Sequence, residues 1–327
     1  MDTPPQRLSL AHSALVVPAA PFHFDATFRK PDHFPTDDTH WEPGSRWQAL
    51  WWRGRQVGVV VRDRGTVEAP ALQVEVHAHR RLSAEYLASL LAEIRYRYNL
   101  DLELSPFYGA CGGDPALGPV ITRWRGMRPG HPNSLYEYLV IGVALQNATV
   151  RRSIQMMQAL FRAHGRRLTF DARDLWCFWA PGSLGADPEE GLRVLKLGYR
   201  ARSLARLDGA FAAGAVDEAA LRLADLPAQR RALIGLYGVG PATAGYLLTD
   251  VFHQWDHLDH ISPWEQKILS RLIFGTDPSD PVQPAALLEY FARYHPFRVL
   301  ALHYLWEDLW WRHDRGEASW LDALIRA

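Results

Sequence analysis

Residues 229–252 read QRRALIGLYGVGPATAGYLLTDVF, and the whole chain is best approached from this stretch. Apolar spacing over 229–236 predicts a helix, Leu236-Tyr237-Gly238-Val239-Gly240 a sharp turn, and Pro241 the first position of a second helix running to 252. Gly238 and Gly240 let the backbone turn tightly and present successive N–H groups beside the positive end of the second helix. That arrangement suits an anion of phosphate size. Val239, between the glycines, is expected to plug the groove between the helices and make the turn rigid.

Around this hairpin the sequence is helical. Ser134 is a cap for a helix through Val143, and amphipathic segments follow near 149–164, 187–197, 200–213, 217–225, 263–274, 284–294 and 296–313. The N-terminal part has another rhythm. Leu15-Val16-Val17, residues 47–52, 57–61 and 72–76 read as short strands separated by turn signals such as Pro43-Gly44 and Arg53-Gly54-Arg55. From Ser83 the spacing of Tyr86, Leu87, Leu90, Leu91, Ile94 and Tyr98 becomes helical, so a helix is expected to pack on an antiparallel sheet. The expected fold class is α+β: an N-terminal α+β domain over 1–113, then an all-α domain over 114–327.

Composition narrows the function. Thirty-six basic residues balance 36 acidic ones, so a polyanion must be met by a local patch rather than by net charge. Only Lys30, Lys196 and Lys267 are lysines, which leaves few amines for Schiff-base chemistry. Cys111 and Cys177 are too few for an iron–sulfur cluster or a cysteine-rich zinc site, and they give no disulfide framework. His253, His257 and His260 lack companion cysteines, so no metal and no cofactor is expected. The apolar stretch from Leu8 to Ala20 is broken by His12 and Pro18 and reads as a strand, and no run approaches a membrane span. A cytoplasmic monomer is the expectation. The 13 tryptophans exceed what the core demands, although each one is more readily explained as a core filler.

The string Leu-x-Gly-Val-Gly-x-x-Thr-Ala, from Leu236 through Thr243 to Ala244, resembles the helix-hairpin-helix of the base-excision DNA glycosylase superfamily, the HhH-GPD fold. Leu197-Gly198-Tyr199-Arg200-Ala201-Arg202 is similar to 8-oxoguanine DNA glycosylases, and His295-Pro296-Phe297-Arg298 through Trp306 to the last helix of 3-methyladenine DNA glycosylase II. Residues 142–149, GVALQNAT, resemble the loop from which these enzymes insert a polar side chain into the base stack. The N-terminal part would then be the family's TBP-like α+β domain.

The resemblance implies roles. Gly238, Val239, Gly240 and Thr243 would hold double-stranded DNA by its phosphates, with Arg151 and Arg152. Asn147 or Gln146 would be the wedge replacing a flipped nucleotide; capping of the next helix is the competing reading of Asn147. Ala242 stands where bifunctional members carry lysine, implying a monofunctional enzyme that uses water. Ungapped counting from Leu236 puts Ser262 at the family aspartate, and Ser262-Pro263 with Glu265 forms a capping box. With a small gap the acid is Asp259, and Asp256 and Glu265 are its substitutes. Tyr246 and Trp306 match base-pocket aromatics, or else pack between helices. The expected function is excision of a damaged, alkylated base; the alternatives are a catalytically silent protein that binds distorted DNA and an enzyme acting on nucleosides.

Overall fold

The computed structural model describes residues 4–31 and 35–325. Its strands are β1 (Gln6–Arg7), β2 (Ser9–Val16), β3 (Thr39–Glu42), β4 (Ser45–Trp52), β5 (Arg55–Asp63), β6 (Leu72–Ala78), β7 (Arg166–Phe170) and β8 (Arg173–Cys177). The helices are α1 (Phe24–Phe28), α2 (Ala84–Arg97), α3 (Ser105–Cys111), α4 (Gly118–Arg123), α5 (Leu135–Leu145), α6 (Val150–His164), α7 (Pro188–Val194), α8 (Arg200–Ala212), α9 (Glu218–Leu223), α10 (Leu226–Ile234), α11 (Pro241–Asp250), α12 (Pro263–Leu269), α13 (Pro284–Ala292), α14 (Arg298–Asp314) and α15 (Asp322–Ile325). Two compact units alternate along the chain: Met1–Arg29, His33–Glu103 and Gly126–Glu218 form the first, and Lys30–Asp32, Leu104–Arg125 and Ala219–Ala327 the second.

In the first unit the five-stranded antiparallel sheet runs β2-β6-β5-β4-β3. Period-two alternation decides its faces. Val57, Val59 and Val61 of β5 join Leu72, Val74 and Val76 of β6 under Leu90 and Ile94 of α2 and Phe24 and Phe28 of α1. Val60 points the other way and packs with Trp47, Ala49, Leu168, Phe170, Leu175 and Cys177. That second layer corrects the all-helical reading of the C-terminal half. Residues 166–177 form the hairpin β7–β8, and β1 pairs with β7 in parallel, so the order is β1-β7-β8. The reason is visible in the burial: Leu168, Phe170, Leu175 and Cys177 are buried and alternate with the more exposed Arg167, Thr169, Asp174 and Trp176. A Cβ on Gly58 would lie 2.5 Å from the Phe170 ring, so this close approach requires glycine. Helix α2 starts at the Ser83 cap as expected, and Ser134 with Glu137 forms a full capping box at the start of α5.

In the second unit α14 is central. Ile268 of α12 packs with Leu309, Trp310, Ala318 and Leu321, while Phe107 of α3 meets Tyr304 and Phe297. Asp308 accepts from the Trp124 indole at 2.7 Å and from Arg123 at 2.6 Å, tying α14 to the end of α4. Among the described residues no helix is long and apolar enough to cross a membrane.

Candidate nucleic-acid interface

The hairpin forms as α10, a turn and α11. Asp225 caps α10 by accepting from the Ala228 N–H at 2.8 Å. The Leu236 carbonyl accepts from the Val239 N–H at 3.1 Å, closing a β-turn whose third residue, Gly238, has φ +85°. That position belongs to glycine because a left-handed φ strains any L side chain. Val239 is 8% exposed and buried as expected. Gly240 is different: φ is −95°, and a Cβ there would meet no described atom within 4 Å. Glycine at 238 therefore makes the turn, while glycine at 240 leaves the start of α11 uncovered. Gly240 caps α11 and Pro241 donates nothing, so the first-turn donors that the helix itself leaves without an acceptor are the N–H groups of Gly240, Ala242 and Thr243. Thr243 is half-buried.

Beyond α11 the three carboxylates differ sharply in environment. Asp256 accepts from the Arg298 backbone at 3.2 Å, from Arg298 Nε and Nη2 at 3.0 Å each, and from His295 Nδ1 at 2.8 Å when that nitrogen carries the proton. Burial pushes its carboxyl up, but the bonds from Arg298 and His295 outweigh this and leave it below the ordinary value. Asp259 accepts from Arg230 of α10 and has His257 Nε2 3.5 Å away. Its carboxyl is pushed up by partial burial and brought down further by Arg230 and His257, so the anion is kept. Glu265 accepts from the Ser262 N–H at 2.8 Å while Ser262 accepts from the Glu265 N–H at 3.3 Å: the expected capping box at the start of α12.

Tyr246 as a whole is 42% exposed, whereas its hydroxyl is shielded and set against the Ser262 and Glu265 side chains. Shielding of the hydroxyl, then the Glu265 carboxylate, raises its pKa. Trp306 is half-buried and packs edge-on to Trp264 at 5.6 Å and near Trp310 at 5.9 Å. Helices α11 and α12 thus bring Tyr246 to the capping box, and Trp306 belongs to the aromatic cluster of α12 and α14.

In the first unit, Gln146 ends α5 and Thr149 caps α6 by accepting from the Arg152 N–H at 3.3 Å. The capping alternative for Asn147 is thereby removed. Asn147 lies exposed between the helices with φ +47°, a left-handed conformation that asparagine tolerates better than most residues. Tyr199 and Arg200 hold this loop: the Tyr199 hydroxyl donates to the Gln146 carbonyl at 3.3 Å, the Arg200 guanidinium donates to the same carbonyl, and Arg200 lies 4.7 Å from the Tyr199 ring. Tyr199 is 54% exposed, and Asn147 Nδ2 donates to its hydroxyl at 3.4 Å. Sequence reading missed this pairing. Arg151 is exposed, whereas Arg152 is spent on the Lys196 carbonyl at 2.6 Å. Among the described residues no cluster of metal-ligating side chains occurs.

Comparison with known proteins gives a consistent fold. A 3-methyladenine DNA-glycosylase from Archaeoglobus fulgidus superposes with a TM-score of 0.72 at 17% identity, over 93% of this chain and 98% of that one. An 8-oxoguanine glycosylase/lyase of Clostridium acetobutylicum, solved with double-stranded DNA containing cytosine opposite 8-oxoG, gives 0.68 at 15% identity, over 97% and 100%. In sequence, the chain is 24% identical over 155 residues to a DNA-3-methyladenine glycosylase of Bacillus subtilis (strain 168), covering 46% of this chain and 50% of that protein. The match thus spans about half the length of that relative. No family model matches the chain.

Proposed function

We propose that the protein is a DNA glycosylase of base excision repair that removes alkylated bases by a monofunctional route. The observation that carries this reading is the hairpin, whose α11 start is left open by Gly240 on a fold shared with glycosylases. Its N–H groups would hold a backbone phosphate irrespective of sequence. Asn147, supported by Tyr199, would fill the stack when a nucleotide is flipped. Tyr246 and Trp306 would offer ring faces to a cationic methylated purine, each worth about 0.5–2 kcal/mol. Asp259, kept as an anion, would stabilise the positive sugar as the N-glycosidic bond breaks and its electron pair leaves with the base. Water then adds to C1′ and gives up its proton, since Ala242 offers no amine.

A second reading, a protein that binds distorted DNA without excision, is favoured by one specific arrangement: Ser262 caps α12 at the ungapped acid position, while Asp256 and Asp259 are both paired with arginines. Single-turnover excision on a panel of alkylated duplexes separates the two. The Asp259→Asn variant should bind undamaged duplex at least as well as the wild type while base release falls by orders of magnitude. Equal rates would remove Asp259 from the chemistry; a wild type that binds bent duplex but releases nothing would establish the second reading.

A further inference from the structure

Arg230 lies on α10, about one turn before that helix ends, and its Nη1 meets two groups of the loop between α11 and α12 at once. One is the Asp259 carboxylate, and the other is His257 Nε2 at 3.3 Å. His257 Nε2 is itself 3.5 Å from the same carboxylate oxygen. A permanent cation, an anion and an imidazole therefore share one junction. The Arg230 and Asp259 side chains are 42% and 43% exposed, and His257 is 15% exposed.

This junction has two charge states. With His257 neutral and its proton on Nδ1, Nε2 accepts a hydrogen bond from Arg230 and holds the guanidinium beside the carboxylate. When a proton from solvent is added, Nε2 becomes a donor: it attracts Asp259 and repels Arg230. Two cations then compete for one carboxylate. Arg230, on a long exposed stem, is the one able to leave.

We propose that Arg230 is a DNA-phosphate ligand stored on Asp259, and that His257 is the positioning residue whose protonation releases it. The exchange balances: neutral His257 takes one proton from solvent, the His257–Asp259 ion pair replaces Arg230–Asp259, and Arg230 pairs with a phosphate. Arg230 stands on the first helix of the same hairpin whose turn opens the start of α11. His260, next to Asp259, is exposed, whereas other groups near the loop are engaged. Asp256 is held by Arg298 and His295 from the α14 side, His253 stacks on Trp255, and Gln254, whose carbonyl accepts from the His257 N–H, reaches Gln229 of α10 at 2.8 Å.

The inference rests on the DNA-binding part of the proposed function and not on excision. Its test is the affinity of the full chain for a short undamaged duplex, read by fluorescence anisotropy at constant ionic strength from pH 5.5 to 8.5. Wild-type affinity should fall with rising pH by roughly tenfold more than that of His257→Gln, the size expected when about one proton is linked to binding. Arg230→Gln should bind more weakly with the same flattened profile, and His295→Gln should keep the wild-type slope. A flat wild-type profile, an unchanged slope in His257→Gln, or full affinity in Arg230→Gln would each overturn the proposal. A normal slope in a protein that excises no base defeats the glycosylase reading alone, whereas a flat slope in an active enzyme defeats this inference alone.

Discussion

Gly238 and Gly240 look equivalent in the sequence and are not equivalent in the fold. Gly238→Ala forces a side chain into a left-handed backbone and should cost about 1–2 kcal/mol, read as a lowered thermal midpoint. Gly240→Thr should leave stability within about 0.5 kcal/mol, because threonine and glycine cap helices comparably and the site is open. Its branched side chain should nonetheless weaken binding to lesion-containing and undamaged duplex alike. A loss confined to one lesion would show that the hairpin does not hold phosphate. The turn was legible in the sequence because its left-handed position, Gly238, is one that glycine takes without strain. The setting of Asp259 was not, since Arg230 reaches it from another helix and only the fold brings the two together.

At the level of elements, the loop between α11 and α12 is fastened at both sides by arginine–carboxylate pairs. Phe297 offers no side-chain cap to α14, and Asp256 supplies one from a distance by accepting from the Arg298 N–H. Asp256→Asn should therefore lower stability by about 1–3 kcal/mol near neutral pH, reduced by its partial exposure. Because the folded carboxyl is held below its ordinary value, that stabilisation is present above about pH 4 and is lost as pH falls through the depressed folded value. Thermal midpoints of wild type and variant should converge on acidification, and a gap independent of pH would show that the contact acts through shape instead. Most helices were readable from their caps and spacing. The β7–β8 hairpin was not, because two five-residue strands beginning with arginines, set between helices, carry too little pattern to stand out.

For the molecule as a whole, the scarcity of amines is itself a prediction. Lys30 lies buried 3.9 Å from Glu307, and Ala242 occupies the hairpin position of interest. Incubation with abasic-site duplex and borohydride should trap no covalent adduct above background; a trapped complex would identify a nucleophile among three lysines and end the monofunctional reading. The parallel pairing of Gln6 with Leu168 has a different consequence, for synthesis. A ribosome releases β1 long before its partner exists, and the apolar layer of Trp47, Ala49 and Val60 has no cover until Leu168, Phe170 and Leu175 have emerged. The nascent N-terminal sheet therefore stays uncovered on one side until more than half of the chain has been translated, so an elongation pause before residue 177 should prolong the exposure of that apolar face.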